Sequence, residues 1–222
     1  MNIPLSKRLQ ACCNYVAQGE RVADIGCDHG YTGIYLLHNG IASSVIAADI
    51  NEKPLQSAVS NAQKYNVEDK IHFYLSDGVR NIPKDFDTMI CAGMGADTII
   101  SILDAAPWLK KEHYKLILQC QSKTPTLRQY LSQSGWFIHR EAVLRDGRFL
   151  YTVMEVFYCP LAPRLTIGQQ YFPPALFIEP SEILREYYED VLFRLKRAVN
   201  GRGDAAEPHM LEALKELEAI KW

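Results

Sequence analysis

Apolar positions return along this chain in two rhythms, one of short continuous runs and one at helical spacing. Val22 to Ile25 is a short run that ends in Gly26-Cys-Asp-His-Gly30, after which Ile34, Leu36 and Leu37 recur as on one helix face. That pattern predicts strand, tight turn, helix. It repeats: residues 43–49 end in Asp49 before a helix from Pro54 to about Tyr65, and the alternating stretch 70–78 ends in Asp77-Gly78. Residues 86–92 run into Gly93-Met94-Gly95-Ala96 and a helix through Ile99, Ile100 and Leu103; residues 114–120 precede a helix through Leu127 and Leu131 that ends near Gly135. Residues 136–144 and 148–158 read as two strands joined at Arg145-Asp146-Gly147, a hairpin signal. Five strand–helix units closed by an antiparallel hairpin predict a doubly wound α/β sheet. A helix over residues 5–17, with Ser6 as N-cap, precedes the first strand.

Beyond Pro160 the pattern changes. Prolines 160, 163, 173, 174 and 180 punctuate a linker. A stripe through Ile183, Leu184, Tyr187, Tyr188, Val191, Leu192 and Leu195 follows, then a turn at Gly201-Arg202-Gly203-Asp204, then a second stripe from Met210 to Ile220. The expectation is a domain at 1–160 and a linker with a coiled-coil-like helical hairpin at 161–222. The aromatics of the first stripe read as the hairpin's own seam rather than a cofactor box.

Composition narrows the function classes. A chain of 222 residues with 48% hydrophobic content supports one sizeable core and at most one small appended unit. No apolar run approaches the roughly 20 residues of a membrane span, and no signal-peptide pattern opens the chain, so the expected setting is cytoplasmic. The cysteines, at 12, 13, 27, 91, 120 and 159, include no CxxC pair and no metal-spaced His/Cys cluster. They read as reduced thiols, and no metal is expected. A formal net charge of −2 gives no composition-level argument for nucleic acid, although a local basic face can still hold phosphates.

The turns carry the candidate chemistry. A dinucleotide fingerprint wants small residues at three places, which here hold Gly26, Asp28 and Tyr31. A carboxylate beside a pyrophosphate costs repulsion, so NAD and FAD are disfavoured. S-adenosylmethionine carries no phosphate, and its zwitterionic end and sulfonium suit an acidic turn; an ordinary βα turn without ligand is the competing reading. Asp49, 23 residues beyond Gly26, stands where an acid accepts from both ribose hydroxyls, or else caps the helix that Pro54 opens. Asp77 and Gly78 suit an adenine contact or a plain turn. Ala92, Gly93 and Met94 border the switch point, where the transferred methyl lies, and two glycines leave room for a flat base. Five strand–helix units closed by an antiparallel strand hairpin are the class I (Rossmann-like) methyltransferase form of the doubly wound sheet, expected here with the C-terminal helical hairpin appended.

Asp24 to Tyr31 (Asp-Ile-Gly-Cys-Asp-His-Gly-Tyr), Ser-Lys-Arg-Leu at 6–9, Asp49, Ser-Asp-Gly at 76–78 and Ala-Gly-Met-Gly at 92–95 together resemble the bacterial TrmK family, along essentially the whole chain. The resemblance implies methylation of adenine N1, at position 22 of tRNA, with S-adenosyl-L-methionine. It gives the candidate cofactor set Asp24, Gly26, Asp28, His29, Asp49, Ile50, Asp77, Gly78, Ala92, Gly93 and Met94, with Asp28 as the catalytic carboxylate, placed to stabilise the cationic base or take its amino proton. Lys7, Arg8, Arg185, Arg194, Arg197 and Arg202 are candidate tRNA contacts, against the alternative that they are solvated charges. The chain departs from the family at Thr32-Gly33, where Leu-Pro is usual, and at Gln119-Cys120-Gln121, where Gln-Pro-Asn is frequent. Two other readings remain open here: cytosine-C5 methylation with Cys120 as nucleophile, and a non-catalytic cofactor-binding module. The sequence leaves monomer and weak dimer open.

Overall fold

A computed structural model describes residues 3–178, 181–202 and 207–221. The elements in order are α1 (Lys7–Cys13), β1 (Arg21–Ile25), α2 (Tyr31–His38), β2 (Ser44–Asp49), α3 (Glu52–Lys64), β3 (Ile71–Leu75), β4 (Thr88–Gly95) and α4 (Ala96–Asp104). They continue with β5 (Lys115–Ser122), α5 (Thr124–Gln133), β6 (Trp136–Asp146), β7 (Phe149–Tyr158), α6 (Ile167–Tyr171), α7 (Leu184–Arg202) and α8 (Pro208–Glu218). Ser6 caps α1, its hydroxyl accepting from the Leu9 N–H.

Seven strands form one sheet in the order β3-β2-β1-β4-β5-β7-β6. The first five pair in parallel, β7 runs antiparallel to β5, and β6 pairs antiparallel with β7. The chain winds outward from β1 in one direction and from β4 in the other, so the switch point lies between them, where a crevice must open at the carboxyl ends. One connection differs from the expected five units: residues 76–87, between β3 and β4, form turns rather than a helix. Asp77-Gly78 starts those turns and Pro83 sits within them, which removes helix propensity on that side.

Both faces are covered. Ala23 and Ile25 of β1 point to one layer with Ile99 and Leu103 of α4 and Leu127 and Leu131 of α5. Val22 points to the other, with Cys12 and Cys13 of α1, Ile34 and Leu36 of α2, and Ala58 and Ala62 of α3. Each fully buried leucine or isoleucine contributes about 1.5–3 kcal/mol relative to exposure. Gly33 packs α2 onto the sheet: a Cβ there would lie 2.8 Å from Val45 Cγ1.

The C-terminal elements form a third cluster, in which Phe172, Leu176, Leu184, Leu195, Met210 and Leu217 pack with Val143 of β6. α8 lies against α6 as well as α7, with Gly168 directly under Glu216. Tyr188 follows the seam reading, its hydroxyl donating to Leu217 O at 2.8 Å. Tyr187 does more, because its hydroxyl accepts from Arg128 Nη2 of α5 at 3.2 Å. Arg128 and Glu141 are both fully buried and paired at 2.6 Å, and Arg128 also donates to the Gln170 and Tyr171 carbonyls. This network ties α6 and α7 to the sheet. Gly201 and Arg202 belong to α7, whereas Gly203, Asp204 and Pro180 lie outside the described residues, as does the Arg202 side chain.

Candidate active site

The turn after β1 is built from left-handed backbone: Gly26 at φ +72, Asp28 at +49 and Gly30 at +74. Gly26 and Cys27 donate their N–H groups to Ala48 O of the neighbouring strand at 2.8 and 2.9 Å, which fixes the turn against β2. A Cβ on Gly26 would collide with Met94 Cε, so the Met94 side chain lies across the bare glycine. Asp28 in αL is unusual for a side-chain-bearing residue and is held by its N–H donating to Asp49 Oδ2 at 3.0 Å.

Asp49 is the last residue of β2. Its other oxygen accepts from Asn51 N–H at 2.8 Å, and α3 begins at Glu52 with Asn51 in the N-cap position. The capping alternative for Asp49 therefore falls away; the buried carboxylate points into the cleft instead. A cleft of about 480 Å3 runs from Gly26 and Asp49 past Ile50 to Ser76, Asp77 and Gly78, with Met94, Asp97 and Ser101 opposite. Ser76 shapes its far end, donating to Gly78 O at 2.9 Å and accepting from Asn81 N–H at 3.0 Å. Gly78, at φ +59, passes close under Ile102. Ile50 is 63% exposed, an apolar surface beside the cleft.

A second cleft of about 350 Å3 shares Gly26, Asp49 and Asn51 with the first and is lined by Arg8, Asp24, Asp28, His29, Ala92 and Gly93. Asp24 is 3% exposed and its Oδ2 has no partner. Burial pushes its pKa up to about 7, partly offset by the Gly33 N–H and reinforced by the Asp49 charge. An unpartnered buried carboxyl oxygen at a cleft wall suits a cationic ligand group. The His29 imidazole lies 3.7 Å from Asp28, both exposed.

The remaining candidates stand in different surroundings. Of the charges on α1, Arg8 lines the cleft while Lys7 is exposed outside it. In the C-terminal segment, Arg194 pairs with Asp190 at 2.9 Å, Arg185 lies 3.8 Å from Glu189, and Arg197 is exposed. Arg194 lines a separate groove of about 280 Å3 whose other wall is Gln121 to Thr124. Cys120 does not meet the needs of a nucleophile: it is 2% exposed, its thiol donates to Ser122 O at 3.0 Å, and burial raises its pKa, away from the reactive thiolate. The cytosine-C5 reading is set aside.

Sequence reasoning passed over Asn51, whose N–H anchors Asp49, and took Gln119 only as a motif letter; a lone amide after an apolar strand was its signal. Among the described residues no His, Cys, Asp and Glu cluster fits a metal, and no helix is long and apolar enough to cross a membrane.

The residues fit the expected S-adenosylmethionine: Asp49 offers acceptors for a ribose, Gly26 admits close approach, Ile50 flanks a base, and Asp24 suits an ammonium. Residues 5–154 match the family described as Methyltransferase domain. The tRNA (adenine(22)-N(1))-methyltransferase of Bacillus subtilis is 33% identical over 153 residues, spanning 68% of this chain and 64% of that protein. The crystal structure of the B. subtilis M1A22 tRNA methyltransferase TrmK superposes with a TM-score of 0.79 at 27% identity, over 98% of this chain and 95% of that one. Streptococcus pneumoniae Sp1610 in complex with S-adenosyl-L-methionine gives 0.83 at 28% identity, over 96% and 99%. The chain belongs to the methyltransferase-domain family and, within it, to the TrmK family.

Proposed function

We propose that this protein methylates N1 of an adenine in tRNA, at position 22, using S-adenosyl-L-methionine, and that it works in the cytoplasm where tRNA is found. The observation that carries the reading is the double cleft at the switch point, one half fitted to an adenosine and the other open to an acceptor beside Asp28 and Arg8. When bound, the cofactor supplies an electrophilic methyl on its sulfonium. Adenine N1 carries an in-plane lone pair, so the chain need not deprotonate it first; its task is positioning. Asp28, exposed at the cleft wall, stabilises the cationic base that methylation creates or takes the proton of its amino group. Because N1 is a pairing edge, the target nucleotide has to leave its stack to reach this cleft.

In this proposal residues 1–160 carry out the chemistry and 161–222 form an appended unit that grips RNA. The groove between Arg194 and the loop after β5 supports an RNA path toward the end of β4; Arg185 and Arg197 of the same helix, outside that groove's lining, remain further candidate phosphate contacts, as does Arg202. Incubating the purified protein with unmodified tRNA transcript and labelled cofactor tests the reading. Label should appear as 1-methyladenosine and vanish when A22 is changed to another base; label on cytosine C5, or none, would defeat it.

A further inference from the structure

β5 runs apolar from Leu116 to Leu118, and the next residue, Gln119, is fully buried. A buried amide needs partners for its donors and its acceptor, and Gln119 finds three. Its Oε1 accepts from Gly93 N–H at 3.0 Å and from Arg8 Nη1 at 3.3 Å, and its Nε2 donates to Cys120 O at 3.2 Å. The first of these explains a break in the sheet. Ala92 stands opposite Gln119 and Met94 opposite Cys120, so Gly93 is an extra residue in β4, at φ +81, with its N–H out of the ladder. The Gln119 side chain takes that N–H in place of a strand neighbour.

The second bond reaches the reacting side. Arg8 is held by Gln119 at one end of its guanidinium and by Asp146, 3.7 Å from Nε, at the other. A Cβ on Gly93 would lie 3.1 Å from Arg8 Nη1, so the guanidinium packs on the bare glycine. Arg8 and Gly93 line the cleft together with Asp28; Gln119 itself is sealed from solvent.

We infer that Gln119 is a positioning residue for methyl transfer: one buried oxygen fixes both the Gly93 peptide of the β4 bulge and the Arg8 guanidinium at the rim where the acceptor base sits. The inference rests on the acceptor reading given under the proposed function. An arginine presents a rigid fork of donors, useful for gripping a base edge or a phosphate only when its long side chain is held in one geometry. Gln119 touches none of the residues proposed to hold the adenosine end of the cofactor, Asp49, Asp77 and Gly78, so its loss should fall on the acceptor step far more than on cofactor affinity.

The test uses the full chain with Gln119→Met, which keeps length without hydrogen bonds, Gln119→Glu, which keeps the acceptor, Arg8→Met, and the Arg8→Met/Gln119→Met pair. kcat and KM on tRNA transcript, S-adenosylhomocysteine affinity by titration calorimetry, and Gly93 amide exchange by NMR are measured. Gln119→Met should lower kcat by about tenfold to a hundredfold, the scale of a misplaced acceptor. Its cofactor affinity should stay within about twofold, its Gly93 amide should exchange faster, and Gln119→Glu should return kcat to within about fivefold of the native protein. The double variant should lose less than the product of the single losses, because Gln119 acts through Arg8. Native-like kcat in Gln119→Met, multiplicative losses in the pair, or unchanged Gly93 exchange would each overturn the inference. If Gln119→Met does not fold, Gln119→Glu decides: near-native kcat upholds the role, and a loss equal to that of Arg8→Met refutes it. If the native protein methylates no tRNA, the functional reading fails by itself, while Gly93 exchange in the variants still decides whether Gln119 holds the loop.

Discussion

Replacing Asp24 by asparagine separates what this carboxylate costs the fold from what it does for the cofactor. Burial raises its pKa from the ordinary 3.8 to about 7. The folded protein therefore binds one more proton than the unfolded chain between those values. Stability contributed by the protonated form is complete below about pH 4, falls as pH rises toward 7, and is flat above. One pKa unit is worth about 1.4 kcal/mol, so between pH 5 and 8 the native protein should lose about 2–3 kcal/mol through this group alone. For a chain of this size that is roughly 5–10 °C in melting temperature. Asp24→Asn keeps an acceptor for the Gly33 N–H and cannot ionise, so its stability should lack this component, whatever offset its own amide introduces at every pH. Urea unfolding of both proteins without cofactor, at half-unit steps from pH 5 to 8, measures the difference. Parallel curves would refute the assignment of a raised pKa to Asp24. In the same variant the affinity for S-adenosylmethionine should fall, because the anion opposite the ammonium is gone. Native cofactor binding at pH 8 should also release close to a full proton less than at pH 6, readable as a buffer-dependent heat.

Asp49→Ala should weaken cofactor binding by about 1–3 kcal/mol, the cost of a lost charged acceptor, and titration calorimetry should find no NAD binding to the native protein. Cys120→Ser should keep most methyl-transfer activity and trap no adduct with fluorocytosine RNA; a loss of several orders of magnitude would restore the nucleophile reading. Arg128→Met leaves Glu141 buried without its partner and should cost about 3–5 kcal/mol in urea unfolding, with Arg128→Met/Glu141→Leu recovering much of it. Charge reversal of Arg194 and Arg197 should weaken tRNA binding and flatten its salt slope by about one unit for each lost phosphate contact, cofactor affinity staying the same.

The strand-end turns were legible because each apolar run stops at a glycine or an acidic residue, and in most units helical spacing follows. Gly26, Asp49 and Asp77-Gly78 stand in the cleft in the order the sequence predicts. What local pattern does not encode is which side chains meet across elements. Arg128 and Glu141 are 13 residues apart and become partners only because α5 lies against β6. Gln119 reads as one polar letter until the β4 bulge leaves the Gly93 N–H unpaired. β4 extends to Gly95, three residues beyond its expected end, because the irregular pairing through Gly93 carries the ladder onward to Ser122. The orientation of Cys120, by contrast, toward the α4 and α5 layer, follows from plain strand parity with Leu116 and Leu118. Lys7 and Arg8 are adjacent in sequence, and only the docking of α1 beside the end of β5 separates the one in solvent from the one in the cleft.

Position-resolved modification of cellular tRNA tests the central claim most directly. tRNA from a strain lacking the gene, and from the same strain carrying it on a plasmid, is digested and analysed by nucleoside mass spectrometry, with primer extension to locate blocked Watson–Crick edges. The account predicts 1-methyladenosine and a stop at position 22 only when the gene is present, and neither when the plasmid encodes Asp28→Ala. Methylated A22 that persists without the gene, or a gene-dependent mark on another base or atom, would contradict it.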